Sequence, residues 1–423
     1  EPMTADQVVW SEQSRLHISL KGTIDLNGGA GTQGRFVVVT DIDGNVSGDG
    51  FTIANHGVRV NDTVLLSSGN TVVKALVTAV SGADIDVKSY ETAVLEGLSE
   101  VGSATTLLVY GSEFKKGDTY GGSDARTANE PTFKSFTNKP IILKDYYEVS
   151  GSDASRIGWV EITSEEGQSG YMWYLKAESD TRSRFTDYLE MSMLESQVAL
   201  AASVTDTALA GAGTATGTQG LFDAIEERGN VTSGISGVNA ATDLAEFDAI
   251  LAEFDKQGAI EENMMFVNRA TSLAMDDMLA SMNSYGAGGT SYGVFSNDED
   301  MALNLGFSGF RRGSYDFYKS DFRYLNDKAT RGGINATAGS AAIRGVIIPA
   351  GTSSVYDQNL GKNLTRPFLH VRYRASQTDD RKMKTWVTGS VGAATSSLDA
   401  MQLHFLSERC LITQGANNFM IMK

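Results

Sequence analysis

The chain has 423 residues, 41% of them hydrophobic, and a formal net charge of −17. That length exceeds what one core supports and predicts about two to four domains or subdomains. No apolar run approaches the roughly 18 residues that span a bilayer, and so acidic a chain lacks the clustered Lys and Arg that grip nucleic acid. A lone Cys410 excludes an intramolecular disulfide or a cysteine-built zinc site and predicts a small buried residue in a strand Cys410–Thr413. Forty-five glycines against five prolines predict many tight turns and few rigid stops. The opening EPMTADQ has neither the basic start nor the apolar core of a secretory signal, and no initiator Met.

Residues 1–20 read as an extended arm ending in an alternating strand from Arg15 to Leu20, and the glycine-rich residues 28–34 as a hinge. From Arg35 to Tyr110 the text is β throughout, in five or six short segments bounded by Gly, Asn, Asp or Ser. This spacing predicts a small antiparallel barrel or sandwich with an SH3-like rhythm, inserted between the arm and the rest. Residues 113–176 are polar and dotted with single aromatics. Ile141–Val149 and Ile157–Thr163 are expected to pair as a two-stranded extension about a turn at Ser150–Asp153, a structure only marginally stable alone. Phe133, Phe136, Tyr146, Tyr147 and Trp159 would then lie bare unless a neighbouring subunit covers them.

The stretch Glu178–Val204 contains no Gly or Pro and predicts a helix of about seven turns, capped by Ser179 or Thr181. Phe185, Leu189, Met193 and Leu200 form its stripe, widened by Tyr188, Met191, Leu194 and Val198 into an arc that demands cover on more than one side. Beyond it, Gly211–Gly220 is a flexible crossing. Helices are predicted at Leu221–Arg228, at Asp243–Lys256 (capped by Thr242) and over 269–283. With strands at Met264–Val267, near 305–309 and 315–319, and at Val346–Pro349 they make an α/β subdomain. The last residues return to strands around Phe368–Tyr373 and at Lys384–Val387, Met401–Leu406, Cys410–Thr413 and Phe419–Met422. These are expected to form one antiparallel sheet packed on the long helix.

Motifs that carry chemistry are absent. GAGTATGTQG lacks the Gly-Lys-Ser/Thr ending of a phosphate loop and reads as a hinge. Asp41, Asp43 and Asn45 begin like a calcium loop, but Val46 stands where Gly is required and Thr52 where Glu is, so a hairpin turn is expected. Asn297–Asp300 reads as a solvated face. His17, His56, His370 and His404 are scattered, with no HExxH or GxSxG. No catalytic residue, cofactor-binding residue or metal ligand is assigned. Basic residues at Arg311–Arg312, Lys319–Arg323 and Arg366–Arg374 are expected in intersubunit salt bridges.

The order of parts resembles the major capsid proteins of tailed bacteriophages, the Hong Kong 97-like fold. FKKGDTYGG and EPTFKSFTNKPIILKDYYEVSG are similar to that family's E-loop, and WYLKAESDTRSRFTDYLEMSML to the junction with its spine helix. MMFVNRATSLAMDDMLASM with GFSGFRRGSYDFYKSD resembles the axial domain, and SLDAMQLHFLSERCLITQGANNFMIMK the closing peripheral strands. The wording is nearest to capsid proteins of phages infecting Bacteroidetes, including crAss-like phages.

The resemblance implies an α+β chain divided as N-terminal arm 1–20, inserted β-barrel 21–112, E-loop 113–176, spine helix 177–212, axial domain 213–363 and peripheral strands 364–423. It implies a structural protein, not an enzyme, that assembles with itself through pentamers and hexamers into an icosahedral shell. That shell encloses double-stranded DNA without binding it specifically, needs no cofactor and no membrane, and meets portal, decoration or auxiliary proteins. It would assemble in the host cytoplasm and reside in the virion, and the missing initiator Met is compatible with cleavage by a prohead protease. Phe133, Phe136, Tyr146, Tyr147 and Trp159 are then expected at subunit contacts, with Arg366, Arg372 and Arg374 pairing across subunits. Two other readings stay open: a tail or baseplate protein with a glycan-binding barrel, and a barrel-bearing hydrolase.

Overall fold

The computed structural model describes the chain except residues 14, 27–31, 47–51, 92–93, 99–103, 118–132, 157–161, 164–168, 171, 201–216, 259, 284–308, 338, 340–341, 358–361 and 391–394. It divides into two units, Trp10–Phe136 and Glu1–Val9 with Thr137–Lys423. The boundaries fall within a two-stranded ribbon of β2 (Val8–Gln13) and β9 (Phe133–Asn138).

The first unit is a closed barrel of β3 (Ser19–Asp25), β4 (Gln33–Asp41), β5 (Asp62–Ser68), β6 (Thr71–Ser81), β7 (Asp84–Ser89) and β8 (Thr105–Ser112), ordered β3-β4-β7-β6-β5-β8. Period-two alternation drives it: Phe36, Val64, Leu66, Ala75, Val77, Ile85 and Leu107 turn inward and are buried. Closure leaves no free edge. At the register shift after Lys21 the walls come so close that a Cβ on Gly22 would sit 2.1 Å from the Val37 carbonyl oxygen. The first barrel strand begins at Ser19 rather than Arg15, and Leu16 is exposed. Asp41 Oδ1 accepts the backbone N–H groups of Asp43 and Asn45, so the carboxylate that mimicked a calcium ligand closes its own turn. Buried His56 is a structural part of the barrel. Its Nε2–H donates to the Gly82 carbonyl, its Nδ1 accepts from Val58 N–H at 3.1 Å, and burial lowers its pKa.

The second unit holds two larger sheets. A six-stranded mixed sheet runs β13 (Asn230–Thr232), β23 (Met420–Met422), β17 (Gly345–Pro349), β14 (Glu262–Val267), β16 (Tyr315–Asp321), β15 (Gly309–Arg312). The other, of five strands, is built on β22 (Ala400–Thr413). β10 (Ile141–Ser150) pairs along one edge of β22; β21 (Lys384–Gly389) and β20 (Leu369–Arg374) share the other, and β1 (Pro2–Met3) adds to β20 in parallel. Short pairs β11 (Ile162–Thr163) with β12 (Ser169–Gly170), and β18 (Thr352–Asp357) with β19 (Lys362–Pro367), stand outside both sheets.

Among the described residues, five longer helices set the layers. α1 (Gly151–Arg156) follows β10 directly, and α2 (Met172–Glu195) is the long helix. α3 (Leu221–Arg228) and α2 lie in the core between the sheets: Met193, Leu221, Phe222 and Ile225 meet Val346 and Ile421 of one sheet and Leu411 of the other. α4 (Ala240–Gln257) and α5 (Arg269–Asn283) cover the opposite face of the six-stranded sheet, where Phe247, Ile250, Phe254, Met275 and Met278 pack on Met265, Val267, Phe317 and Ile347. The cap of α4 is the Asn239 side chain, accepting from Thr242 N–H at 2.9 Å, so Thr242 is the capped residue and not the cap. Two short helices, α6 (Arg323–Asn326) and α7 (Arg331–Asn335), follow β16.

Four expectations are corrected. The long helix starts before Glu178 and stops at Glu195, and Thr181 lies inside it with its hydroxyl donating to the Ala177 carbonyl. Among the helix residues whose burial is described, Thr181, Phe185, Leu189 and Met193 are buried, a stripe at four-residue spacing. Tyr188 and Leu200 are exposed, while Leu194 packs beside Met193 in the core between the two sheets, so the helix is covered from more than one side. Ser196 ends the helix, its carbonyl accepting from Gly220 N–H at 2.7 Å. Secondly, Ile141–Ser150 pairs with β22, where ten residues of alternating pattern find a matching edge; of its expected partner, 157–161 lie outside the described residues and Ile162–Thr163 pairs with β12, and the expected turn at Ser150–Asp153 is the helix α1. Thirdly, the expected strands Met401–Leu406 and Cys410–Thr413 are one strand of 14 residues. Fourthly, Met420–Met422 leaves that sheet. Gly415 (φ 61°) and a turn at Ala416–Asn418 redirect the chain, and three consecutive apolar residues suit a position buried on both faces between β13 and β17.

Candidate interface surfaces

The register of β10, β22 and β21 sorts their side chains onto two faces. Toward α2 point Leu143, Tyr147, Leu403 and Phe405, with the Phe405 ring 5.9 Å from that of Phe185. Burying Phe185, Leu189 and Phe405 here stabilises by about 1.5–3 kcal/mol per side chain. Arg184 of α2 also reaches Asp145 of β10 at 3.3 Å. Away from α2 the cross-strand partners Tyr146, His404 and Trp386 form a ladder. Tyr146 and His404 have centroids 6.1 Å apart and His404 and Trp386 5.1 Å, at interplanar angles of 27° and 19°. Thr388 Oγ1 and His404 Nε2 are 2.7 Å apart. Tyr146 is 56% exposed and Ile142, on the same face of the same strand, 54%.

Adjacent Tyr146 and Tyr147 therefore serve opposite faces. Tyr147 is half-buried on the helix side, where burial raises its phenol pKa. Phe136 is half-buried, its ring 6.1 Å from Trp10 and under the Lys134 ammonium. Phe133 begins β9, and Trp159 lies outside the described residues. The structure brings Phe133 with Phe136 into one ribbon and sets Tyr146 on a different sheet.

The three arginines have partners inside their own chain. Glu1 accepts Arg366 Nη2 at 2.9 Å and lies 3.1 Å from Arg372 Nη2. Arg374 donates to Asp6 and, through Nε, to Glu408 Oε1 at 2.9 Å, while Arg381 reaches Glu408 Oε2 at 2.7 Å. These contacts within the chain hold β1 and its flanks onto β20, around the same Arg366, Arg372 and Arg374 that were expected to pair across subunits. His370 beside them donates from Nδ1 to the Pro367 carbonyl at 3.0 Å, and burial lowers its pKa. The residues missed from the sequence are Glu1 and Glu408. Glu408 had a signal, since it is the one acid in the sequence Ala400–Thr413 and stands beside Arg409. Among the described residues no three His, Cys, Asp or Glu side chains gather as a metal site.

No protein-family model matches the chain, and no curated protein matches it. Among solved structures it is similar to a chain from Gordonia phage Cozz (10% identity, TM-score 0.38, covering 74% of this chain and 78% of that one). It is similar also to one in the asymmetric unit of the bacteriophage PhiM1 mature capsid (11%, 0.37, 74% and 79%). A chain from Microbacterium phage Oxtober96 gives 11% identity, a TM-score of 0.36, and coverage of 72% and 80%.

Proposed function

We propose that this chain is the major capsid protein of a tailed bacteriophage, of the Hong Kong 97-like fold, and that it closes through pentamers and hexamers into the icosahedral shell around a double-stranded DNA genome. The observation that carries the reading is the outer face of β10, where Ile142 and Tyr146 stand more than half exposed on an ordered strand. An apolar face held this firmly, in a chain whose text resembles E-loop, spine-helix and axial-domain phrases, fits burial by another copy. In this reading α2 is the spine helix, β10 and β20–β22 belong to the peripheral domain, the six-stranded sheet with α4 and α5 is the axial domain, and the barrel is an insertion. The nearer likeness to phages of Bacteroidetes rests on the wording of the sequence alone. A charge of −17 suits a container that holds DNA without adhering to it.

Weak contacts repeated around a closed shell sum to a stable container. The test is the double substitution Ile142→Ser with Tyr146→Ser, both on the solvent side of β10. The expected result is a folded subunit, by circular dichroism, that forms no closed particles in electron micrographs under conditions where the parent chain does. Particles of normal size and yield from the variant would overturn the reading. Tyr147 is left untouched because its truncation would loosen the helix–sheet core.

A further inference from the structure

A cleft of ≈ 770 Å³ opens beside α2, between the face of the six-stranded sheet and β20. That is a volume typical of sites that take a small ligand or a few side chains. Its floor is apolar and comes from four elements: Leu194 of α2, Phe266 of β14, Ile348 of β17, and Leu369 and Val371 of β20. All five are half-buried, so the cleft is lined by side chains already positioned by the core yet open to a visitor. The mouth has a different character. Asp187 and Glu190 lie one turn apart on the exposed side of α2; among the described residues neither has an ion pair within 4.0 Å, and the Glu190 carboxylate acts at longer range on the Arg409 guanidinium. Asp327 also lines the cleft, with Arg323 only loosely associated at 3.7 Å and 92% exposed.

Floor and mouth select different parts of an occupant. The floor accepts large apolar side chains and offers few polar groups to anything hydrophilic. The mouth carries an excess of carboxylate, which repels nucleic acid and acidic peptides and attracts Lys or Arg. We propose that this cleft is a docking site for a short peptide segment of a partner protein, in which one or two large apolar side chains are flanked by lysine or arginine. The apolar anchor enters between Leu194 and Ile348, and the flanking cations rest over Asp187 and Glu190. The proposal is independent of whether the chain builds a shell.

The experiment is a fluorescence-anisotropy titration of the full chain into a labelled peptide whose Leu-Phe pair is flanked by lysines. Saturable binding that weakens with added salt is expected. The double substitution Asp187→Lys with Glu190→Lys should weaken it by about tenfold or more, and Ile348→Glu should abolish it. The helix variant changes two exposed residues, so its fold is retained and the outcome stays decisive even if Ile348→Glu unfolds. Absence of saturable binding, equal binding of a peptide with glutamates in place of the lysines, or undiminished binding by the charge-reversed variant would each overturn the proposal. So would concentration-dependent self-association that the charge reversal removes, because the occupant would then be a second copy.

Discussion

Glu408 accepts Arg374 Nε at 2.9 Å from a position almost wholly buried in the longest of the described strands. The same carboxylate takes Arg381 at 2.7 Å, so one acid joins the strand β20, the loop after it and β22. Removing the acid would leave two cations facing each other over apolar surface. Glu408→Gln is expected to cost about 2 kcal/mol, less than for a fully buried pair because both arginines keep part of their hydration. A urea titration followed by circular dichroism measures it, and an unchanged midpoint would show the network to be ornamental.

Asn138 is the second polar knot. Its amide donates to the carbonyls of Leu411 at 2.6 Å and Gln219 at 3.1 Å, while its Oδ1 accepts the Thr218 hydroxyl at 3.0 Å and Gln219 N–H at 2.9 Å. Asn138→Leu, nearly equal in size, orphans all these groups at once and should destabilise by about 3 kcal/mol or more. The same urea titration reads it. Asn138→Asp, which keeps the acceptor and loses the donor, should fall between.

Acid weakens the barrel through His56. Its folded pKa lies below that of an unfolded histidine, near 6.5, because burial disfavours the imidazolium. Above about pH 6.5 both states are neutral and nothing is lost. As pH falls through that value the unfolded chain takes up a proton that the folded chain refuses, and stability drops until the lowered folded pKa is reached. Hydrogen exchange at Val58, whose N–H donates to His56 Nδ1, should accelerate toward about pH 5 beyond what chain chemistry predicts. His56→Asn, with an oxygen to accept the same N–H, should remove the excess.

The thiol of Cys410 reports on integrity of the five-stranded sheet. Burial pushes its pKa up to about 11, opposed by the nearby Arg372 guanidinium. At about pH 8 the native chain should resist iodoacetamide, while the urea-unfolded chain reacts as an ordinary cysteine. Rapid modification without denaturant would mean that β22 is accessible in the native state.

Much of this was legible locally and little of it at long range. The barrel strands announce themselves because each is a short alternating run between turn residues, and closure follows once every edge needs a partner. The stripe Phe185, Leu189, Met193 was legible for the same reason, since a four-residue spacing is visible in one dimension. The end of α2 was not. Nothing in the sequence Ser196–Val204 forbids a helix; where α2 stops, the Ser196 carbonyl accepts from Gly220, far along the chain. Nor could alternation in Ile141–Ser150 reveal that its partner lies in Ala400–Arg409, because the pattern specifies a face and not an edge. The meeting of Arg366 and Arg372 with Glu1 was hidden for the same reason, since the acid stands at the far end of the sequence.

The shared strand β22 has a consequence for synthesis. β10, β20 and β21 have no place in a sheet until Ala400–Thr413 has been made, and Met420–Met422 must then insert between β13 and β17. Most of the nascent polypeptide thus waits on the ribosome with its barrel folded and its larger half unclosed, and only the final residues lock both halves of that larger region together. Any premature stop that removes β22 leaves three orphaned edges in one molecule, a product destined for aggregation or proteolysis.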